Sequence, residues 1–139
     1  MFTRVLEFDP SSASARYNLG MTYLRESRLP LALDQLRSAI DLDPNFWLAH
    51  EGLGGALIAA NQPAEAANAW KRSLKINPQS FDTLYNLGIV LAQLARRQEA
   101  LEHLDRFVRE APPDRYADDI ETIRALAARL RQGHSGTPW

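Results

Sequence analysis

The side chains of this sequence best suited to catalysis or metal binding are its three histidines. His50, His103 and His134 lie far apart, two on predicted helices and one near the end, so no metal-ligand spacing arises. The sequence contains no cysteine. Disulfides, cysteine-ligated zinc, iron–sulfur clusters and thiol catalysis are therefore excluded.

A glycine cluster and an arginine pair are the remaining candidates for chemistry. Gly52, Gly54 and Gly55 weakly resemble a phosphate-binding loop, but they fall inside a helical pattern rather than after a strand. Arg96 and Arg97 suit a solvated turn better than a phosphate site. No Walker loop or nucleophile elbow occurs. We therefore expect no catalytic residue, no metal, no cofactor and no enzyme activity.

The composition is that of an ordinary globular protein. Of 139 residues, 45% are hydrophobic and 24% charged, and the formal net charge is −1. This small net charge provides no overall electrostatic field that would attract nucleic acid or an anionic membrane. No apolar run approaches the ~20 residues that span a bilayer, and residues 1–9 lack the pattern of a signal peptide. Both cytoplasm and periplasm remain open as locations.

A 34-residue repeat organises the chain. Prolines recur at this step, and so do a Leu-Gly pair, an alanine and a large apolar residue. Several columns in one phase indicate a repeat architecture. Small residues in two of the columns would let paired helices approach closely. The columns are Pro10, Pro44, Pro78 and Pro112; Leu19-Gly20, Leu53-Gly54 and Leu87-Gly88; Ala32, Ala66 and Ala100; and Leu36, Trp70 and Leu104.

Apolar residues within each repeat follow helical spacing, as Tyr17, Met21 and Leu24 do. Asn61 suits a left-handed turn between paired helices. Ala95 does not, so the sequence predicts a different turn geometry there. The predicted helices span residues 13–26, 31–42, 47–60, 64–76, 81–94 and 98–110.

The segment Tyr17-Asn18-Leu19-Gly20, its repetition as Tyr85-Asn86-Leu87-Gly88, and the later Asp43-Pro44 resemble the tetratricopeptide repeat. The resemblance covers residues 13–114 and implies an all-α fold, a right-handed α-solenoid of antiparallel helix pairs. The family's usual tryptophan column departs from the pattern, because it holds Arg16, His50 and Leu84. The implied divisions are a partial repeat at 1–12, repeats at 13–46, 47–80 and 81–114, a capping helix at 115–132 and a disordered tail at 133–139.

The resemblance also implies a binding surface, because the first helix of each pair lines a concave groove in this family. Met, Tyr and Ile side chains in a groove suit adaptable apolar contacts with a protein or peptide. For Leu24 and Ile58, packing between repeats is an equally good interpretation, whereas Tyr17 and Tyr85 favour the groove. The implied groove residues are Tyr17, Asn18, Met21, Leu24, Arg25, Leu48, Glu51, Gly55, Ile58, Asp82, Tyr85, Asn86, Ile89 and Gln93.

One family subtype can be compared directly. Its chaperone-binding members clamp a C-terminal carboxylate with lysine, arginine and asparagine. Among the corresponding positions only Asn86 is one of these three residue types, and Asp82 would repel a carboxylate. The chain is therefore unlike a chaperone-tail receptor. The corresponding positions are Tyr17, Met21, Gly52, Asp82 and Asn86.

The two ends of the chain suggest different roles. Residues 1–10 match the second helix of a repeat without its first, which suggests a fragment of a longer array and a possible homodimer through the N-terminal edge around Phe2. Residues 115–131 form a predicted helix whose apolar stripe suits capping better than docking. We expect a scaffold that binds a partner's peptide or helix, with self-association or an accessory role in a larger enzyme as alternatives. Nucleic acid binding and membrane insertion are not expected.

Overall fold

Seven α-helices and no strand make up the part of the chain that the computed structural model describes, residues 9–133. The all-α repeat prediction is confirmed, and each predicted helix begins and ends within two residues of an observed one. The predictions for the N-terminal edge and for the tail after Gly133 lie outside the described residues. The helices are α1 Ala13–Arg25, α2 Leu29–Leu42, α3 Trp47–Ala59, α4 Pro63–Ile76, α5 Phe81–Gln93, α6 Arg97–Glu110 and α7 Pro113–Arg131.

The helices fall into two compact units, one ending at Asn77 and the other beginning at Pro78. In the first unit α1 pairs with α2 and α3 pairs with α4, while α2 packs on α3 and α1 also touches α3. In the second unit α5 pairs with α6, and α7 packs mainly on α6. Within residues 9–133, no helix is both long and apolar enough to cross a membrane.

Glycine lets the two helices of each pair approach closely. A Cβ added at Gly20 would lie 2.9 Å from Leu36 Cγ, and one added at Gly88 would lie 2.5 Å from Leu104 Cδ2. The nearest atoms to a Cβ on Gly88 thus all belong to Leu104. A Cβ at Gly54 would overlap the indole of Trp70, with its Cε2 only 2.6 Å away. Gly54, Gly20 and Gly88 therefore each provide room for one large side chain of the partner helix. 

The three turns within helix pairs have the same geometry. Ser27, Asn61 and Ala95 all have φ of 61°. In the last turn the N–H of Arg96 bonds the Leu91 carbonyl at 2.9 Å, and the N–H of Ala95 bonds that of Ala92 at 3.0 Å. This is the Schellman pattern of a helix C-terminus. The prediction of a different turn at Ala95 is therefore wrong, because the two hydrogen bonds and the packing of the helix pair hold alanine in a conformation that it disfavours by itself.

The prolines of the repeating column share a hydrogen bond, which the sequence did not indicate. Their carbonyl oxygens at the first three positions each accept a hydrogen bond from a side-chain N–H, at 3.0 Å in the first case and 2.9 Å in the second. Two of the donors occupy the column where the family usually has tryptophan, which gives those departures a structural role. The pairs are Arg16 with Pro10, His50 with Pro44 and Arg106 with Pro78.

The apolar stripe of helix α7 is buried against helices of the same unit. Tyr116, Ile120, Ile123, Leu126 and Leu130 are all buried. Its opposite side is exposed and carries mostly charged or small residues. The stripe is therefore occupied by packing against its own unit and is not a free docking surface.

Candidate functional site

The first part of the candidate site is a face of the first unit, formed by α1 and α3. We define this α1/α3 face by Tyr17, Met21, Leu24, Gly55 and Ile58. These residues are half-buried except Ile58, which is 40% exposed. A Cβ built on Gly55 would meet no atom within 4 Å. The face therefore combines apolar side chains with open space at its α3 side.

Two residues of this face, Tyr17 and Met21 on α1, pack against α3. A Cβ on Gly52 would lie 2.8 Å from Met21 Sδ and 3.5 Å from Tyr17 Cε1, so both side chains pack over Gly52. The Tyr17 ring also stacks at a tilt on Phe46, with 5.3 Å between the ring centroids. Gly52 is buried, and its lack of a side chain leaves room for Met21 and Tyr17.

Two charged residues outside the defined face, Glu51 and Arg25, act on the Tyr17 hydroxyl. Burial raises the pKa of this hydroxyl, the negative charge of Glu51 raises it further, and the positive charge of Arg25 opposes the shift. Arg25 is exposed and its guanidinium donates to Thr22 Oγ1 at 3.3 Å. The hydroxyl is therefore neutral at physiological pH and can donate or accept a hydrogen bond next to two opposite charges.

The second part of the candidate site lies on α5 of the other unit, and α7 engages part of it. The hydroxyl of Tyr116 donates to Asp82 Oδ1 at 2.9 Å, and the guanidinium of Arg115 lies 3.9 Å from the same carboxylate. The ring of Tyr85 packs edge-on against Phe107, with 5.5 Å between centroids. Asp82 therefore has two partners on α7, Tyr116 and Arg115, which the sequence does not indicate.

The other members of this second set remain accessible. Asn86 and Gln93 are exposed and Ile89 is half-buried. Burial raises the pKa of the Tyr85 hydroxyl, and the charge of Asp119 on α7 adds to the shift. The structure thus gathers the predicted residues in two sets, one in each unit. None of the fourteen predicted side chains is fully buried: Asn18, Arg25, Ile58, Asp82, Asn86 and Gln93 are exposed, and Tyr17, Met21, Leu24, Leu48, Glu51, Gly55, Tyr85 and Ile89 are intermediate.

These features define an all-α protein built from repeated helix pairs, each closed by a glycine and a Schellman turn. The sequence model for the tetratricopeptide repeat matches residues 1–46 and 51–115. The chain belongs to the tetratricopeptide repeat family.

Similar proteins differ widely in size and setting. A peroxisomal targeting signal receptor of Candida albicans is 25% identical over 108 residues, which cover 75% of this chain and 18% of the receptor. The BBSome complex member bbs-4 of Caenorhabditis elegans is 31% identical over 125 residues, which cover 90% of this chain and 26% of that protein. This chain therefore spans only a minor part of the length of these two relatives.

A solved structure shares the fold. The type III secretion chaperone SycD of Yersinia enterocolitica, solved in complex with a peptide of the translocator YopD, superposes with a TM-score of 0.75. The two chains are 14% identical, and the superposition covers 86% of this chain and 92% of SycD. At this level of identity the similarity concerns the fold alone.

Proposed function

We propose that this chain is a non-catalytic module that binds a peptide or helix of a partner protein. The observation that carries the proposal is the α1/α3 face, which has half-buried and exposed apolar side chains on α1 and α3 and open space at Gly55. Such surfaces gain affinity when a partner's side chain fills the open space and removes apolar area from water. The peptide bound to SycD, a protein of the same fold, supports this choice.

The α1/α3 face would recognise its ligand in two ways. Met21, Leu24 and Ile58 offer adaptable apolar contacts, because methionine and leucine side chains can repack around different ligands. The Tyr17 hydroxyl, beside Glu51 and Arg25, offers hydrogen bonds and both signs of charge. We therefore expect ligands that combine one apolar anchor with a neighbouring polar or charged residue.

The decisive variant fills the open space without disturbing the core. Gly55→Leu places a side chain where nothing lies within 4 Å of the new Cβ, and leucine also favours the helix over glycine. Ala64→Leu on α4 is the matched control, because Ala64 is exposed and lies outside the candidate site. Peptides selected from a displayed library on the wild-type protein provide the ligands.

We expect Gly55→Leu to remain folded and to bind the selected peptides at least about tenfold more weakly in calorimetric titrations, because the inserted side chain occupies their anchor position. The control should bind as the wild type does. Unchanged affinity in Gly55→Leu would remove the α1/α3 face as the site.

The double substitution of Tyr17 and Tyr85 to alanine tests whether the two aromatic rings anchor the ligand. Loss of a hot-spot anchor costs about 2 kcal/mol or more of binding free energy.

A further inference from the structure

A second recess lies in the first unit between α2, α3 and α4, and none of the candidate site residues lines it. It consists of a pocket of about 430 Å³ and an adjoining one of about 220 Å³ that share Ile40, His50 and Arg72. We name the whole recess the α2–α4 cleft. The smaller pocket is completed by Pro44, Lys75 and Ile76.

The base of the smaller pocket is largely apolar. Ile40 and Ile76 are half-buried on α2 and α4. His50 is only 4% exposed, and its Nε2 donates to the Pro44 carbonyl at 2.9 Å. This bond also assigns the proton to Nε2, because a carbonyl oxygen can only accept. The histidine thus closes one wall, and the pocket leaves apolar surface open to a ligand.

The charges of the α2–α4 cleft are unevenly distributed. In the larger pocket Glu65 lies 4.0 Å from the guanidinium of Arg37, and Asp41 adds a second carboxylate. The smaller pocket is lined by Arg72 and Lys75 and by no acidic residue. Both cations are exposed, and within the described residues neither forms an ion pair or hydrogen bond. One end of the cleft is therefore apolar at its base and positive at its rim.

We propose that the α2–α4 cleft is a second docking site, which binds an acidic amphipathic segment of a partner protein. A carboxylate of the segment pairs with Arg72 and Lys75, and an adjacent apolar side chain covers Ile40 and Ile76. A nucleic acid would need more phosphate-binding cations than these two. A free phosphate would leave the apolar base in contact with water. The site goes beyond the proposed function, because it lets the module hold two ligands at once.

The test uses two synthetic peptides that differ only in charge. Both repeat leucine in a helical pattern and are capped at both ends; the first has glutamate at the polar positions and the second has glutamine. Each is titrated into isotope-labelled protein while backbone amide shifts are followed by NMR. We expect the glutamate peptide to shift the amides of Ile40, Arg72, Lys75 and Ile76, and the glutamine peptide to bind more weakly. Added salt should weaken only the first peptide.

The paired variant Arg72→Gln/Lys75→Gln should weaken the glutamate peptide by roughly fivefold to tenfold, as expected for two exposed ion pairs. Arg109→Gln/Arg129→Gln is the matched control, since it removes two exposed cations from helices of the other unit. Thermal unfolding checks that both variants fold.

Three outcomes would overturn the proposal. Equal affinity for the two peptides would exclude recognition by charge. Shifts confined to the α1/α3 face would place the peptide in the first site. Inorganic phosphate that produces the same shifts as the peptide would indicate an anion site in which the apolar base has no role. If the paired variant does not fold, the salt dependence of the glutamate peptide on the wild-type protein decides the question.

Discussion

The contact between Gly54 and Trp70 allows a sharp test of how the helix pairs are built. Gly54→Ala adds a methyl group only 2.6 Å from the indole Cε2, so the ring must move. Moving it also disturbs the hydrogen bond from Trp70 Nε1 to the Glu51 carbonyl, which is 3.1 Å long. Gly55→Ala, one residue further along α3, adds the same group to open space. The adjacent substitution is therefore a matched control.

The expected magnitudes follow from three contributions. Alanine favours a helix over glycine by roughly 1 kcal/mol, and this gain is common to both variants. Overpacking costs about 1–3 kcal/mol, and a lost hydrogen bond about 0.5–1.5 kcal/mol. Both costs apply to Gly54 alone. We expect Gly54→Ala to be less stable than Gly55→Ala by about 2–4 kcal/mol, with Gly55→Ala at or above the stability of the wild type.

Urea unfolding followed by circular dichroism and tryptophan fluorescence measures the difference. If the unfolding free energy falls by about 2 kcal/mol per molar urea, the expected difference between the two variants separates their urea midpoints by about 1–2 M. Gly54→Ala/Trp70→Leu adds a rescue test, because removing the indole removes its overlap with the added methyl group. Equal midpoints for the two single variants, or additive effects in the double variant, would refute the packing argument.

Three further predictions concern other features. Ala95→Gly should raise the unfolding free energy by about 1 kcal/mol in urea titrations, since glycine adopts positive φ without cost, and an unchanged midpoint would contradict this. Burial and the hydrogen bond to Asp82 raise the pKa of Tyr116 above its ordinary value of 10.0. The unfolded chain therefore loses its proton first, so that stability falls as pH rises above about 10, and Tyr116→Phe should flatten this fall in pH-dependent melts. His50→Leu should lower the unfolding free energy by about 1 kcal/mol in urea titrations, because the Pro44 carbonyl loses its partner; no loss would mean that the bond contributes little.

The helices could be predicted from the sequence because their signals are local or periodic. The 34-residue phase and the apolar spacing around Tyr17 and Met21 determine helix identity and approximate bounds. The close approach of paired helices at the glycine column could be predicted for the same reason, because the large apolar residues Leu36, Trp70 and Leu104 recur with the same 34-residue step.

The parts that could not be predicted depend on contacts between distant residues. Ala95 adopts the shared turn although its residue type disfavours it, because the hydrogen bonds of the turn and helix packing outweigh its preference. The bond from Tyr116 to Asp82 joins residues 34 apart, one on a candidate groove helix and the other on α7. No local pattern indicates that an exposed carboxylate has a partner on another helix. The α2–α4 cleft likewise depends on three helices meeting.

The interlock of Trp70 and Gly54 restricts the order in which this repeat could have changed over evolutionary time. While residue 70 is tryptophan, residue 54 has to remain glycine, because any Cβ there would overlap the indole. A change of Gly54 to alanine must therefore follow the loss of the indole. The same restriction applies to the neighbouring repeats, where a Cβ on Gly20 would lie 2.9 Å from Leu36 Cγ and one on Gly88 would lie 2.5 Å from Leu104 Cδ2.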